Sequence, residues 1–191
     1  MLKRKITNKI EEYLKSDSKK MLIVDGARQI GKSFIIRHVG QEMFENFIEI
    51  NMEEDKLSDR LFADATSVEK FYIALSSFAG ERMKERDKTL VFIDEIQAYP
   101  HLLTLVKFLM ADNRFRFIAS GSLLGVTLQK TQSIPIGSIE RVHMYPLDFE
   151  EFLWANNVGE LAIYEMLNCF KKEESLSEAL HNRMMLLFRY Y

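Results

Sequence analysis

Residues 26–33 read Gly-Ala-Arg-Gln-Ile-Gly-Lys-Ser and fit the spacing G-x-x-x-x-G-K-[ST]. Those residue types at that spacing suit a polyphosphate. Phosphate oxygens take many short hydrogen bonds, which backbone N–H groups supply when a loop curls inward. Glycine reaches the necessary conformations without a Cβ penalty. Lys32 would bridge the β- and γ-phosphates, and the Ser33 hydroxyl would ligate Mg²⁺. A helix read over 32–39 would aim its positive end at the same place. The phosphate-binding candidates are Gly26, Ala27, Arg28, Gln29, Ile30, Gly31, Lys32, Ser33 and Phe34, with Lys32 also a catalytic candidate. The competing reading is a glycine-containing turn with an exposed lysine, and Arg28 also reads as a solvated side chain.

A phosphate loop alone does not hydrolyse its ligand; that takes a metal anchor and a group that orients water. "LVFIDEIQ" at 90–97 offers both. Asp94, ending an apolar run, can hold Mg²⁺, and Glu95 can polarise the attacking water as the catalytic base. The carboxyl ends of strands are where open α/β sheets bind ligands.

The elements that must position these residues follow from periodicity. Leu2, Ile6, Ile10, Tyr13 and Leu14 make a helical stripe over 2–15. "MLIV" at 21–24, "NFIEI" at 46–50, "TLVFID" at 89–94, "RFRFIAS" at 114–120 and "RVHMY" at 141–145 read as strands. A capping box starting at Thr66 is expected to open a helix, and Pro100 to open another. Strand and helix alternate up to residue 147, and only helices follow, over 148–155, 159–171 and 176–190. Continuous apolar strands separated by helices predict an α/β fold with a mainly parallel sheet between helices. The expected division is a core over 1–147 and a helical segment over 148–191. The last helix, with Met184, Leu187, Phe188 and Tyr191, is expected to need a partner surface, as in a chain that continues further.

"GARQIGKS", "FIDEIQ", "FIASGS" and "YPLDFEEFL", in that order, resemble a group of prokaryotic AAA-superfamily P-loop ATPases. The resemblance implies the additional-strand P-loop fold, with five strands and the fourth between the phosphate-loop strand and the Asp-Glu strand. It implies ATP and Mg²⁺, with Asp94 and Ser33 on the metal. It makes Ser120 or Ser122 a sensor of the γ-phosphate, with Ser120 directly ending its strand. It also implies a following C-terminal domain, with 148–191 the start of a truncated lid or of that domain, and places the helix from Ile6 to Leu14 near the base. Many relatives carry an arginine where this chain has Gly137-Ser138, so Arg28, Arg116 and Arg141 all stay open as arginine fingers.

Guanine-specific elements are missing: Asn8-Lys9-Ile10-Glu11 precedes the loop, and Asp94 is followed by Glu-Ile-Gln. A Mg-dependent ATPase coupled to conformational change is the leading reading. A slow nucleotide switch or scaffold comes second, and a small-molecule kinase is a distant third. The net charge of −2 gives no global attraction to nucleic acid. Residues 1–20 nevertheless hold seven Lys/Arg against three Asp/Glu, which reads as a solvated face or, less well, a polyanion site. One cysteine, Cys169, excludes an internal disulfide and suits a reducing cytoplasm. No run of apolar residues is long enough for a membrane span. The four histidines lack metal-ligand spacing and read as surface or packing residues. Expected partners are nucleotide, an unknown protein or a further domain, and a homo-oligomer.

Overall fold

The computed structural model describes residues 2–122 and 136–191. The chain divides into two compact units, Lys9–Tyr145 and a smaller one of Met1–Asn8 with Pro146–Tyr191. The sequence placed its boundary after residue 147 and left the N-terminus with the core.

In the larger unit, β1 (Met21–Gly26), β2 (Asn46–Asn51), β3 (Thr89–Asp94), β4 (Arg116–Gly121) and β5 (Ile139–Met144) form one sheet. Every pairing is parallel and the order is β2-β3-β4-β1-β5. β4 thus lies between the loop strand and the Asp-Glu strand, which is the additional-strand arrangement. All residues of β1 and β3 are buried, as strands covered on both faces must be.

Around the sheet lie the part of α1 (Lys5–Lys15) from Lys9 onward, α2 (Lys32–Met43), α3 (Met52–Leu57), α4 (Val68–Ala79) and α5 (Pro100–Asp112). Met21, Ile23, Val91, Ile93 and Phe117 share a core with Phe71 and Leu75 of α4 and Leu102 and Val106 of α5. Alternation sends Leu22, Val24, Leu90, Phe92 and Ile118 to the opposite face, where all are buried. α2 packs there. A Cβ on its Gly40 would stand 2.5 Å from the Phe47 ring and 3.1 Å from Leu90, so glycine lets the helix lie close. The Tyr13 hydroxyl of α1 is 2.8 Å from the carbonyl oxygens of both Lys20 and Phe117.

Helix starts differ from expectation by small steps. α4 is capped by Ser67, whose hydroxyl accepts from Lys70 N. With the cap one residue later than Thr66, Glu69 cannot close a capping box. α3 was not foreseen; Asn51 caps it by accepting from the backbone N–H of Glu53 and Glu54. Phe78 of α4 is exposed.

The smaller unit contains α6 (Phe149–Ala155), α7 (Glu160–Lys172) and α8 (Glu178–Tyr190). Leu153, Ile163, Met184 and Leu187 form its core. Met184 and Leu187 therefore find their partner surface within the unit, and the Phe188 and Tyr191 rings lie 5.3 and 5.5 Å from that of Phe149. Asp148 caps α6 in a complete capping box with Glu151. Three basic residues of the N-terminal tip find acidic partners here. Arg4 pairs with buried Glu151 at 3.1 Å, Lys5 with Asp148 and Glu150, and Lys3 with Glu160. No helix among the described residues is long and apolar enough to cross a membrane.

Candidate functional site

The loop between β1 and α2 needs both its glycines. Gly26 has φ +148° and Gly31 φ +93°. A Cβ at Gly26 would also meet the Met144 carbonyl oxygen of β5 at 2.3 Å. Gln29, at φ +63°, turns the tip. Ala27, Arg28, Gln29 and Phe34 are exposed, while Ile30, Gly31 and Ser33 are half-buried. Lys32 is buried, and its ammonium donates to the carbonyls of Ala27 at 2.7 Å and Gly26 at 3.2 Å. The loop thus wraps around its own lysine, leaving that charge at the mouth of the site.

At the carboxyl ends of the neighbouring strands lie the acidic pair and the serines. Ser33 Oγ donates to Asp94 Oδ1 at 3.0 Å, and the Ser120 hydroxyl donates to the same oxygen. Burial pushes the Asp94 carboxyl above its ordinary value, with Glu95 and Glu49 adding to the push and the two serines opposing it. A hydroxyl and a carboxylate side by side fit Mg²⁺, a hard cation that takes one or two protein oxygens and fills the rest with water and substrate phosphates. The described residues contain no group of three or more His, Cys, Asp or Glu able to hold a metal by themselves.

Glu95 has φ +51° and opens a 3-10 turn, Ile96–Ala98. Its Oε2 accepts from Ser122 N at 3.2 Å, from Ser122 Oγ at 3.1 Å and from Gln97 Nε2. Burial raises the Glu95 carboxyl, but the bonds from Gln97 and Ser122 together outweigh it and leave the group below its ordinary value. Arg28 Nε reaches Ser122 Oγ at 3.5 Å. The structure therefore brings Lys32, Ser33, Asp94, Glu95, Ser120 and Ser122 together at the carboxyl ends of the inner strands.

The three arginines separate. Arg116 begins β4, at the end of the strands opposite the loop, and donates to Leu14 O and Ser16 O. Arg141 donates through Nε to buried Asp25 at 2.7 Å, and His143 Nδ1 lies 2.8 Å from the other oxygen of that carboxylate. Only Arg28 stands at the loop. Sequence reasoning missed Asp25, Arg141 and His143 as a set, because register brings β5 beside β1 across more than a hundred residues. It also missed Gln97, although the residue sits inside "DEIQ".

Fold and loop together define an AAA-type P-loop domain, a nucleotide-binding class. The chain belongs to the family described as AAA domain, whose model matches residues 18–153. It is 26% identical over 166 residues to an uncharacterized protein of Methanocaldococcus jannaschii, covering 84% of this chain and 33% of that one. The chain thus spans about a third of that relative's length. Among solved structures, the Walker-type ATPase PabY2304 of Pyrococcus abyssi is similar at a TM-score of 0.52 and 20% identity, over 88% of this chain and 63% of that one. The S. cerevisiae Hsp104–ADP complex is similar at 0.53 and 14%, over 79% and 23% respectively. At such identities the structures speak for the fold.

Proposed function

We propose that this domain binds ATP with Mg²⁺ on Gly26–Phe34 and hydrolyses it, coupling turnover to a conformational change. The observation that carries this reading is the 3.0 Å contact between Ser33 Oγ and Asp94 Oδ1, with Lys32 and Glu95 alongside. Lys32 would leave its loop carbonyls for the β- and γ-phosphate oxygens. Ser33 and Asp94 would hold Mg²⁺, which when bound neutralises charge on those oxygens. Glu95 would take a proton from water as the new O–P bond forms and the bond to the bridging oxygen breaks, releasing ADP. Ser120 would act as the γ-phosphate sensor by way of Asp94, the carboxylate its hydroxyl meets. Adenine is favoured because the guanine-reading motifs are missing. We place the protein in the cytoplasm, working with a further domain, an unknown protein or copies of itself.

The test is Mg-ATP turnover by the protein, its Glu95→Gln variant and its Lys32→Ala variant. Both variants should lose hydrolysis, Glu95→Gln by at least about 100-fold, the low end of what a general base supplies. Wild-type turnover in Glu95→Gln would remove Glu95 from the mechanism. A slow switch is the second reading, favoured by the engagement of Arg141 with Asp25 and of Arg116 with the carbonyls of Leu14 and Ser16. It predicts tight nucleotide binding with negligible hydrolysis at any protein concentration.

A further inference from the structure

The two oxygens of Glu95 are treated very differently. Oε2 carries every hydrogen bond described for this carboxylate, from Gln97 Nε2, Ser122 N and Ser122 Oγ, whereas Oε1 carries none. The acceptors and donors fix this orientation. A carboxylate accepts only, so the Gln97 carboxamide must present its NH₂ to Glu95. The same NH₂ lies 3.3 Å from Ser122 Oγ, which ties the donors to one another. The Gln97 carboxamide oxygen is then turned away and, among the described residues, buried without a partner. A buried acceptor left unmatched costs stability. The arrangement is therefore maintained at a cost, as functional sites often are.

We propose that Gln97 and Ser122 are positioning residues that anchor Glu95 through Oε2 and thereby leave Oε1 as the oxygen that receives the proton of the attacking water. This deepens the hydrolytic reading above and rests on it. Ser122 adds a link to the phosphate loop, because its hydroxyl also meets Arg28 Nε at 3.5 Å. A loop rearranged around phosphates would reach the base through that contact. No other described side chain donates to Glu95, so the anchor depends on these two residues.

The experiment is a double-mutant cycle in Mg-ATP turnover with the whole chain. Gln97→Leu should lower kcat by about 10-fold or more and leave KM within about twofold, because the residue touches the base and not the nucleotide. In a Glu95→Gln background the same change should have no further effect, since an anchor with nothing to aim is silent. Ser122→Ala should behave alike, and Ser122→Thr, which keeps the hydroxyl, should recover most of the loss. The melting temperature of Gln97→Leu should hold or rise, because the orphaned oxygen is removed. Equal losses in both backgrounds, or wild-type kcat in Gln97→Leu and Ser122→Ala, would overturn the anchor while leaving hydrolysis intact. Wild-type turnover no higher than that of Lys32→Ala would overturn the hydrolytic reading and the anchor together.

Discussion

At Gly26 two constraints coincide. The backbone sits at φ +148°, where side chains other than glycine are strained, and a Cβ would overlap the Met144 carbonyl. Gly26→Ala should therefore cost more than the roughly 1–3 kcal/mol of backbone strain alone. It should also weaken nucleotide binding, because β5 would be pushed from the base of the loop. Urea unfolding and nucleotide titration of the variant check both. Glycine's need at this point was legible in the spacing of residues 26–33, since the demand is local. Asp25, one residue earlier, was not legible. Its carboxylate is buried, and its partners Arg141 and His143 become neighbours only through strand register. Arg141→Ala should destabilise the larger unit by about 1–3 kcal/mol, because a buried hydrogen-bonded carboxylate loses a charged donor. In a purified single copy it should leave nucleotide affinity within about twofold. A large loss of kcat with unchanged stability would instead restore Arg141 as a finger acting on a neighbouring site.

Among the elements, the inner strands β1, β3 and β4 were the most readable, because burial on both faces forces apolar runs. Helix starts were less readable, because a cap is decided by one residue's geometry. The shift from Thr66 to Ser67 shows this, as does α3, which buries only Met52 and relies on Asn51. The start of α6 carries a complete capping box and gives an element-level test. Asp148 accepts from Glu151 N at 2.8 Å, Glu151 answers from Asp148 N, and Lys5 pairs with the Asp148 carboxylate. Asp148→Ala should cost the smaller unit about 1 kcal/mol, and Asp148→Asn, which keeps an acceptor, less. Trp154 is the single tryptophan and lies in α6, so its fluorescence during urea unfolding reports on this unit. Burial raises the Asp148 carboxyl, but Lys5 and the capped N–H groups outweigh it, leaving the group below its ordinary 3.8. Its contribution is therefore fully present above that value and lost as pH falls through the lower folded one. Wild type should lose this part of its stability below about pH 4, and Asp148→Ala should show a flatter acid limb.

On the scale of the whole molecule, the two units differ in what a nucleotide can do to them. Every residue assigned to phosphate, metal or water lies in Lys9–Tyr145, and none lies in the helical unit. Of the seven basic residues in 1–20, Lys3, Arg4 and Lys5 pair with acids of their own unit. A ligand that binds only the folded state stabilises it by about 2.7 kcal/mol at 100 times its Kd. For a chain of this size that corresponds to roughly 5–11 °C in melting temperature, at about 2–4 °C per kcal/mol. Mg-ATP should thus raise the transition of the larger unit by that amount, and Lys32→Ala should abolish the shift. Chelating Mg²⁺ should reduce it, because Ser33 and the buried carboxylate of Asp94 would then face the phosphates without a cation between them. Amide exchange should slow at residues 26–34 and 94–97 and stay unchanged across 149–190. Equal protection in the helical unit would show that nucleotide reaches it, and the coupling would then be traced from Arg28 and Ser122 outward.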